Sequence, residues 1–298
     1  MVGHVLDIST QGRRLALYRG FITISDRDDN EVGRVAINDI EAVIVSAYGV
    51  TYSHNILVSL TQHKIIVVLC GDNHAPCGLL LPLDGYYRQS ARMQAQAAMK
   101  RPLAKRLWQL LVQAKIRHQG AVLQLAGREA QAFFAFANKV RPGDPDNIEA
   151  QMARRYWSAL FGKHFLRDSK KPGVNGILNY GYAVIRAAVA RSVVAAGLHP
   201  TLGLSHHNQY NPMCLVDDVM EPFRPLVDYY VARHVKDEEQ ELEKTMKRDL
   251  VDLLAMDMHT NEGHRLAASL ARSIEDGQAK LIFPQDPLPL DFAETVRA

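Results

Sequence analysis

The sequence predicts an α+β chain in which a small, mainly β N-terminal domain over residues 1–84 leads into a larger all-helical domain over residues 85–298. Three observations predict it. Before Leu83 the chain is rich in Val and Ile in short runs of period two, punctuated by Gly, Asp and Asn. After Asp84 the composition shifts to Ala, Gln, Arg, Leu and Met, and the apolar period becomes about 3.6. The 298 residues, 47% of them hydrophobic and 22% charged, are enough to bury one large core or two smaller ones.

The β elements expected in order are residues 15–18, 21–25, 34–37, 42–45 and 65–70. One helix interrupts them over residues 54–62, where Ile56, Leu57 and Leu60 share a face, and the very apolar 65–69 run after it reads as a buried strand. Helices are then expected over residues 87–100, 102–125, 128–139, 147–161, 174–196 and 221–234, with two more between 236 and 271. Gly143, Pro172 and Gly197 mark breaks between them. Residues 283–289 contain Pro284, Pro287 and Pro289, so they propagate neither helix nor sheet and read as an extended tail or docking arm.

Composition excludes several classes. Residues 1–10 have no basic segment followed by an apolar run, and nowhere do about 18 apolar residues follow one another, so the expectation is a cytoplasmic protein with no membrane attachment. Cys70, Cys77 and Cys214 form neither an even disulfide set nor a CxxC pair and are expected to be reduced. GxxxxGK[ST], strand-linked GxGxxG, HExxH and GxSxG are all absent, which removes the mechanistic basis for ATP, dinucleotide, zincin and serine-hydrolase readings.

A net charge of +3 says little by itself, but its distribution says more. No acidic side chain lies between Asp84 and Glu129, while Arg88, Arg92, Lys100, Arg101, Lys105, Arg106, Lys115, Arg117 and Arg128 all do. A one-signed stretch of this length is the electrostatic footprint of a polyanion partner, or else a solvated helix surface whose acidic partners come from elsewhere in the fold.

Two places carry candidate chemistry. Asp-Pro-Asp-Asn at 144–147 starts a helix with Glu149 in its first turn and Arg154 and Arg155 soon after. A capping box, Asp146 capping and Glu149 reaching back, accounts for the same pattern. The second place is the loop Gly203-Leu204-Ser205-His206-His207-Asn208, followed by Asp218 and Glu221, which share a face three residues apart. A capping box also fits Asp218 and Glu221, and a polar loop fits the histidines. Together, one imidazole and two or three carboxylates suit Mg²⁺ or Mn²⁺ and phosphoryl-transfer chemistry, while a catalytic zinc is the alternative ion.

The Asn-Ile-Glu-Ala-Gln helix at 147–151, the Ala-Arg-Arg-Tyr-Trp that follows, the Gly-Leu-Ser-His-His-Asn loop and the block at 215–228 with Glu-Pro-Phe-Arg-Pro strongly resemble the CRISPR-associated adaptation integrases, in particular the type II subgroup found with a single-protein RNA-guided effector nuclease. The likeness spans almost the whole chain. It implies that Glu149, His206 and Glu221 are both the catalytic and the metal-binding residues, with Asp218 as a helper or alternative ligand. His207 is the competing histidine, and the Gly-x-x-His spacing favours His206. Asn179 and Tyr180 fall in a segment that also resembles the family. The resemblance further implies a homodimer, two such dimers flanking a dimer of a small ferredoxin-like adaptation partner, and contact with the effector nuclease. Its substrates would be double-stranded DNA fragments and CRISPR repeat DNA, joined when a fragment's 3′-hydroxyl attacks a phosphodiester at the repeat boundary. Arg88, Arg92, Arg154, Arg155 and Arg224 are the expected DNA contacts. The competing readings are a non-catalytic nucleic-acid scaffold of the same fold and a zinc-dependent small-molecule hydrolase.

Overall fold

A computed structural model describes residues 4–71, 76–83, 89–235, 239–255 and 263–281. Among these, every strand lies before residue 81. The strands are β1 (His4–Ile8), β2 (Arg14–Tyr18), β3 (Phe21–Ser25), β4 (Glu31–Ala36), β5 (Ile40–Val45), β6 (Thr51–Tyr52), β7 (Ile66–Cys70) and β8 (Pro76–Leu80), with α1 (His54–Gln62) before β7. The α1 bounds match the expected 54–62. Strands β1, β6 and β8 were not expected, because β8 begins with Pro76 and contains Gly78, and β6 is only two residues long. Their pairing with β5, β2 and β7 respectively supplies what local propensity lacks.

Two sheets form. In one, β1, β5 and β7 run parallel and β8 is antiparallel at the edge, in the order β1-β5-β7-β8. In the other, β2, β3 and β4 make an antiparallel meander with β6 beside β2. Arg19 and Gly20, the two residues between β2 and β3, both take positive φ, the backbone that a tight hairpin matching the strands' right-handed twist requires.

The parallel sheet is buried on both faces, which explains its continuous apolar strands. Val43, Val45 and Val67 face the other sheet and α1, joining Leu15, Ile22, Ile56 and Leu60 in one core. Ile44, Ile66 and Val68 point the opposite way, into the core built by the helices.

The helices are α2 (Gln89–Ala97), α3 (Arg101–Leu125), α4 (Gln131–Ala137), α5 (Ile148–Phe161), α6 (Val174–Ala195), α7 (Cys214–Met220), α8 (Arg224–His234), α9 (Lys244–Ala255) and α10 (Gly263–Asp276). Helix α6 is central. Ile177, Leu178, Tyr180, Ala183, Val184 and Val193 are buried along its length, and it packs on β5, β7 and α7 to α10. The expected 221–234 helix opens as a 3₁₀ turn at Glu221–Phe223 and continues as α8, and α7, which was not expected, leads directly into it. Pro222 and Pro225 each fall at the start of a turn, where a missing N–H costs no hydrogen bond. No described helix is long and apolar enough to cross a membrane. The proline-containing 283–289 segment lies outside the described residues.

Candidate metal centre and its surroundings

Helix α5 positions Glu149 through a cap that the sequence misassigns. Asp144, not Asp146, accepts the first free N–H groups, those of Ile148 and Glu149, both at 2.9 Å. Asn147 turns through a left-handed φ of 53° to allow this, and Asp146 pairs outward with Arg141. Glu149 is therefore released from capping, and its Oε1 accepts from the Lys115 ammonium at 2.6 Å.

The histidine loop is built around Asp218, which is fully buried on α7. Its Oδ2 accepts the N–H groups of Leu204 and Ser205 at 2.5 and 3.0 Å, and its Oδ1 accepts from His206 Nδ1 at 2.5 Å. Since a carboxylate only accepts, Nδ1 carries the proton and Nε2 is left for an ion. The bond to Asp218 raises the His206 pKa against the effect of burial, and the charges of Asp218, Glu221 and Glu149 add to it. Trp108 meets the imidazole edge to face at 5.6 Å. Gly203 makes the wrap possible, because a Cβ there would lie 2.4 Å from the His206 carbonyl oxygen.

Glu221 lies in the 3₁₀ turn, which His118 on α3 fixes by donating Nδ1–H to the Pro222 carbonyl at 2.5 Å. Burial would raise the Glu221 pKa, but the charges of Arg224 and Lys115 prevail and hold it at about 2. Arg224 donates Nε–H to Oε1 at 2.7 Å, and Lys115 Nζ is 2.5 Å from Oε2. Lys115 is itself buried; desolvation would lower its pKa, and the charges of Glu221 and Glu149 raise it instead.

One ammonium thus joins Glu149 and Glu221, which are 72 positions apart in the chain, beside His206. Among the described residues no three carboxylate, imidazole or thiol groups already converge enough to hold an ion, and Lys115 stands between the two acids. The donors nevertheless fit a divalent cation. The two carboxylates already share one positive charge, and Glu221 Oε2 is buried with no directed hydrogen bond, only the ion contact with Lys115. The imidazole adds a nitrogen donor.

The other expected residues separate. His206 borders a cavity of about 280 Å³ together with Glu221 and Arg224, whereas His207 borders a different cavity of about 700 Å³ with Arg101, Lys105 and Trp108. Arg154 is exposed, and Arg155 lies over the Phe136 ring. Arg92 corrects the expected DNA face: it is buried, donates to the Ala196 carbonyl at 2.7 Å and pairs with Glu275, so it is not free to meet a duplex. Arg88 lies outside the described residues. Sequence reasoning assigned Lys115 to the basic surface. Its spacing from Trp108, Leu111 and Val122 places it on the apolar stripe of α3, a signal that this lysine needs a buried acidic partner.

Comparison with known proteins gives one consistent picture. The family model described as CRISPR associated protein Cas1 matches residues 6–259. The chain is 34% identical to a CRISPR-associated endonuclease Cas1 of Neisseria meningitidis serogroup C, over 94% of this chain and 95% of that one. It is 25% identical to a CRISPR-associated endonuclease Cas1 of Pyrobaculum aerophilum, over 78% and 83%. In fold it is similar to a casposase bound to integration product, with a TM-score of 0.78 at 16% identity, covering 99% and 98%. It is also similar to a CAS1 protein from Thermotoga maritima, with a TM-score of 0.74 at 16% identity, covering 95% and 100%.

Proposed function

Because the chain belongs to the CRISPR associated protein Cas1 family, we propose that it acts through an ion held by Glu149, His206 and Glu221. The enzyme is a nuclease and integrase of CRISPR adaptation. Its reaction inserts short DNA fragments at repeat boundaries by attack of a 3′-hydroxyl on a phosphodiester. The observation that carries this reading is the convergence of Glu149 and Glu221, from separate elements, on one positive charge next to His206.

A Mg²⁺ or Mn²⁺ ion bound there would neutralise phosphate oxygens and align the attacking and leaving oxygens. Asp218 holds the His206 ring and tautomer, the role such a carboxylate takes behind a ligating imidazole. Lys115 and Arg224 keep Glu221 ionised, and Arg224 borders the cavity. Double-stranded DNA, a second copy of the chain and a small ferredoxin-like adaptation protein are the partners of this reading. It is supported by the fold's similarity to a chain of a Cas6-RT-Cas1–Cas2 complex, with a TM-score of 0.73.

The test is strand transfer with labelled DNA ends, a repeat-containing plasmid and Mg²⁺ or Mn²⁺. Glu149→Ala, His206→Ala and Glu221→Ala should each abolish it, His207→Ala should not, and EDTA should stop the wild type reversibly. Near-normal turnover in any of the three variants removes that residue from the site, and full activity in chelator overturns the mechanism.

A further inference from the structure

The 280 Å³ cavity beside His206 and Glu221 contains more positive charge than the ion site explains. Of its three arginines, Arg186 is already used, with Nε and Nη2 on the Asp217 carboxylate at 2.6 and 3.0 Å. Arg224 is held through Nε alone by Glu221. Arg167 differs from both: the side chains that hold it are neutral amides. Its Nη1 and Nη2 each donate once, to the amide oxygens of Asn175 and Asn179 at 2.9 and 2.7 Å. Both amides are buried, and their nitrogens donate to the carbonyls of Leu166 and Ser169, which settles which end faces the guanidinium.

A guanidinium fixed by neutral oxygens keeps its full charge, and three of its five N–H groups remain for a ligand. Arg167 and Arg224 also lie over the same ring, that of Tyr182, at 5.3 and 4.7 Å from its centroid. The Tyr182 hydroxyl is anchored by donating to the buried Asp228. Two cations that share one aromatic ring and line one cavity offer an anion several donors at once, and guanidinium forks match phosphate oxygens. The cavity is smaller than the ~300–1,000 Å³ of a pocket for a drug-sized molecule, which suits one phosphodiester with its adjoining sugar atoms.

We infer that Arg167 and Arg224, stacked on Tyr182, form the seat of the phosphodiester under attack. Arg167 supplies a charge that no protein carboxylate hydrogen-bonds, and Tyr182, Asn175 and Asn179 are positioning residues. This rests on the integrase reading above. In the step itself a new bond forms between the attacking 3′-oxygen and phosphorus while the old phosphorus–3′-oxygen bond breaks. The attacking hydroxyl gives its proton to water, the leaving oxygen takes one from water, and both arginines stay protonated throughout.

The experiment uses the full chain in Mg²⁺ with donor DNA ending in a dideoxynucleotide, so that nothing reacts, and a repeat-containing target. The target carries either its normal phosphodiester or a single uncharged methylphosphonate at the boundary. Wild type should bind the normal target about tenfold more tightly. Arg167→Ala should bind both equally at the weaker level, with Mn²⁺ affinity unchanged, and Arg167→Lys, which keeps the charge without the fork, should retain roughly a threefold preference. Tyr182→Leu should behave as Arg167→Ala. A tenfold preference surviving in Arg167→Ala, or a wild type with no preference, overturns the seat. If the Glu149, His206 and Glu221 variants lose strand transfer while Arg167→Ala keeps its preference, only the seat is wrong. If those variants stay active, the integrase reading itself fails.

Discussion

Lys115 neutralises Glu149 and Glu221 at once, so removing it leaves two acids facing each other, one of them buried. Lys115→Met should lower stability by about 3 kcal/mol in chelator, since it removes one partner of a buried ion pair and leaves Glu221 with Arg224 as its remaining cation. Mn²⁺ should restore more of that loss than it adds to wild type, as read by thermal melts with and without the ion. An equal Mn²⁺ effect on both proteins would mean that the acids do not share a cation site. Asp228 behaves in the opposite sense to Glu221. Burial raises its pKa to about 7, against the hydrogen bonds of Tyr182 and Tyr156 and the charges of Arg224 and Arg167. Between about pH 4 and 7 the folded protein therefore holds a proton that the unfolded chain has lost, so stability falls as pH rises through that window. Asp228→Asn lacks this slope, and its melting temperature relative to wild type should climb from pH 4 to pH 8. A constant difference would show that Asp228 is ionised throughout.

At the level of elements, α5 shows what the sequence made legible and what it hid. The helix start, the Glu in its first turn and the α1 bounds follow from local spacing, and spacing is all that they need. The cap is not legible because Asp144 and Asp146 are equivalent as letters, and it is the left-handed backbone at both Asp144 and Asn147 that turns the Asp144 carboxylate towards the free N–H groups. Asp144→Ala should cost about 1–2 kcal/mol, and Asp146→Ala, which loses only an exposed pair with Arg141, measurably less. Equal losses in chemical denaturation would return the cap to Asp146. The Glu149–Lys115–Glu221 junction and the Arg167–Tyr182 stack were invisible for another reason. They join residues whose proximity is set by how α3, α5, α6 and α8 pack, and periodicity along one element carries no information about that. Strands β1 and β8 were missed likewise, since their partners and not their own residues make them strands.

Across the whole molecule, the burial of Arg92 moves the expected polyanion track to the exposed Arg101, Lys105 and Arg106 at the start of α3, next to the 700 Å³ cavity. Arg101→Ala with Lys105→Ala, four residues apart on one helix face, should reduce the slope of log K against log salt for duplex DNA by roughly 1.8, about 0.9 per lost phosphate contact. An unchanged slope would assign this face to something other than DNA. The parallel sheet has a further consequence, one of timing. Its three parallel strands are complete by residue 70, yet the apolar side bearing Ile44, Ile66 and Val68 is covered by α6, which ends at Ala195. At synthesis rates of about 5–20 residues per second, the growing chain presents that side uncovered for roughly 6–25 seconds. A nascent chain stalled within that interval offers a greasy, strand-rich surface to its neighbours on the polysome, so codon changes that slow translation between residues 80 and 195 should lower the soluble yield without altering a single amino acid.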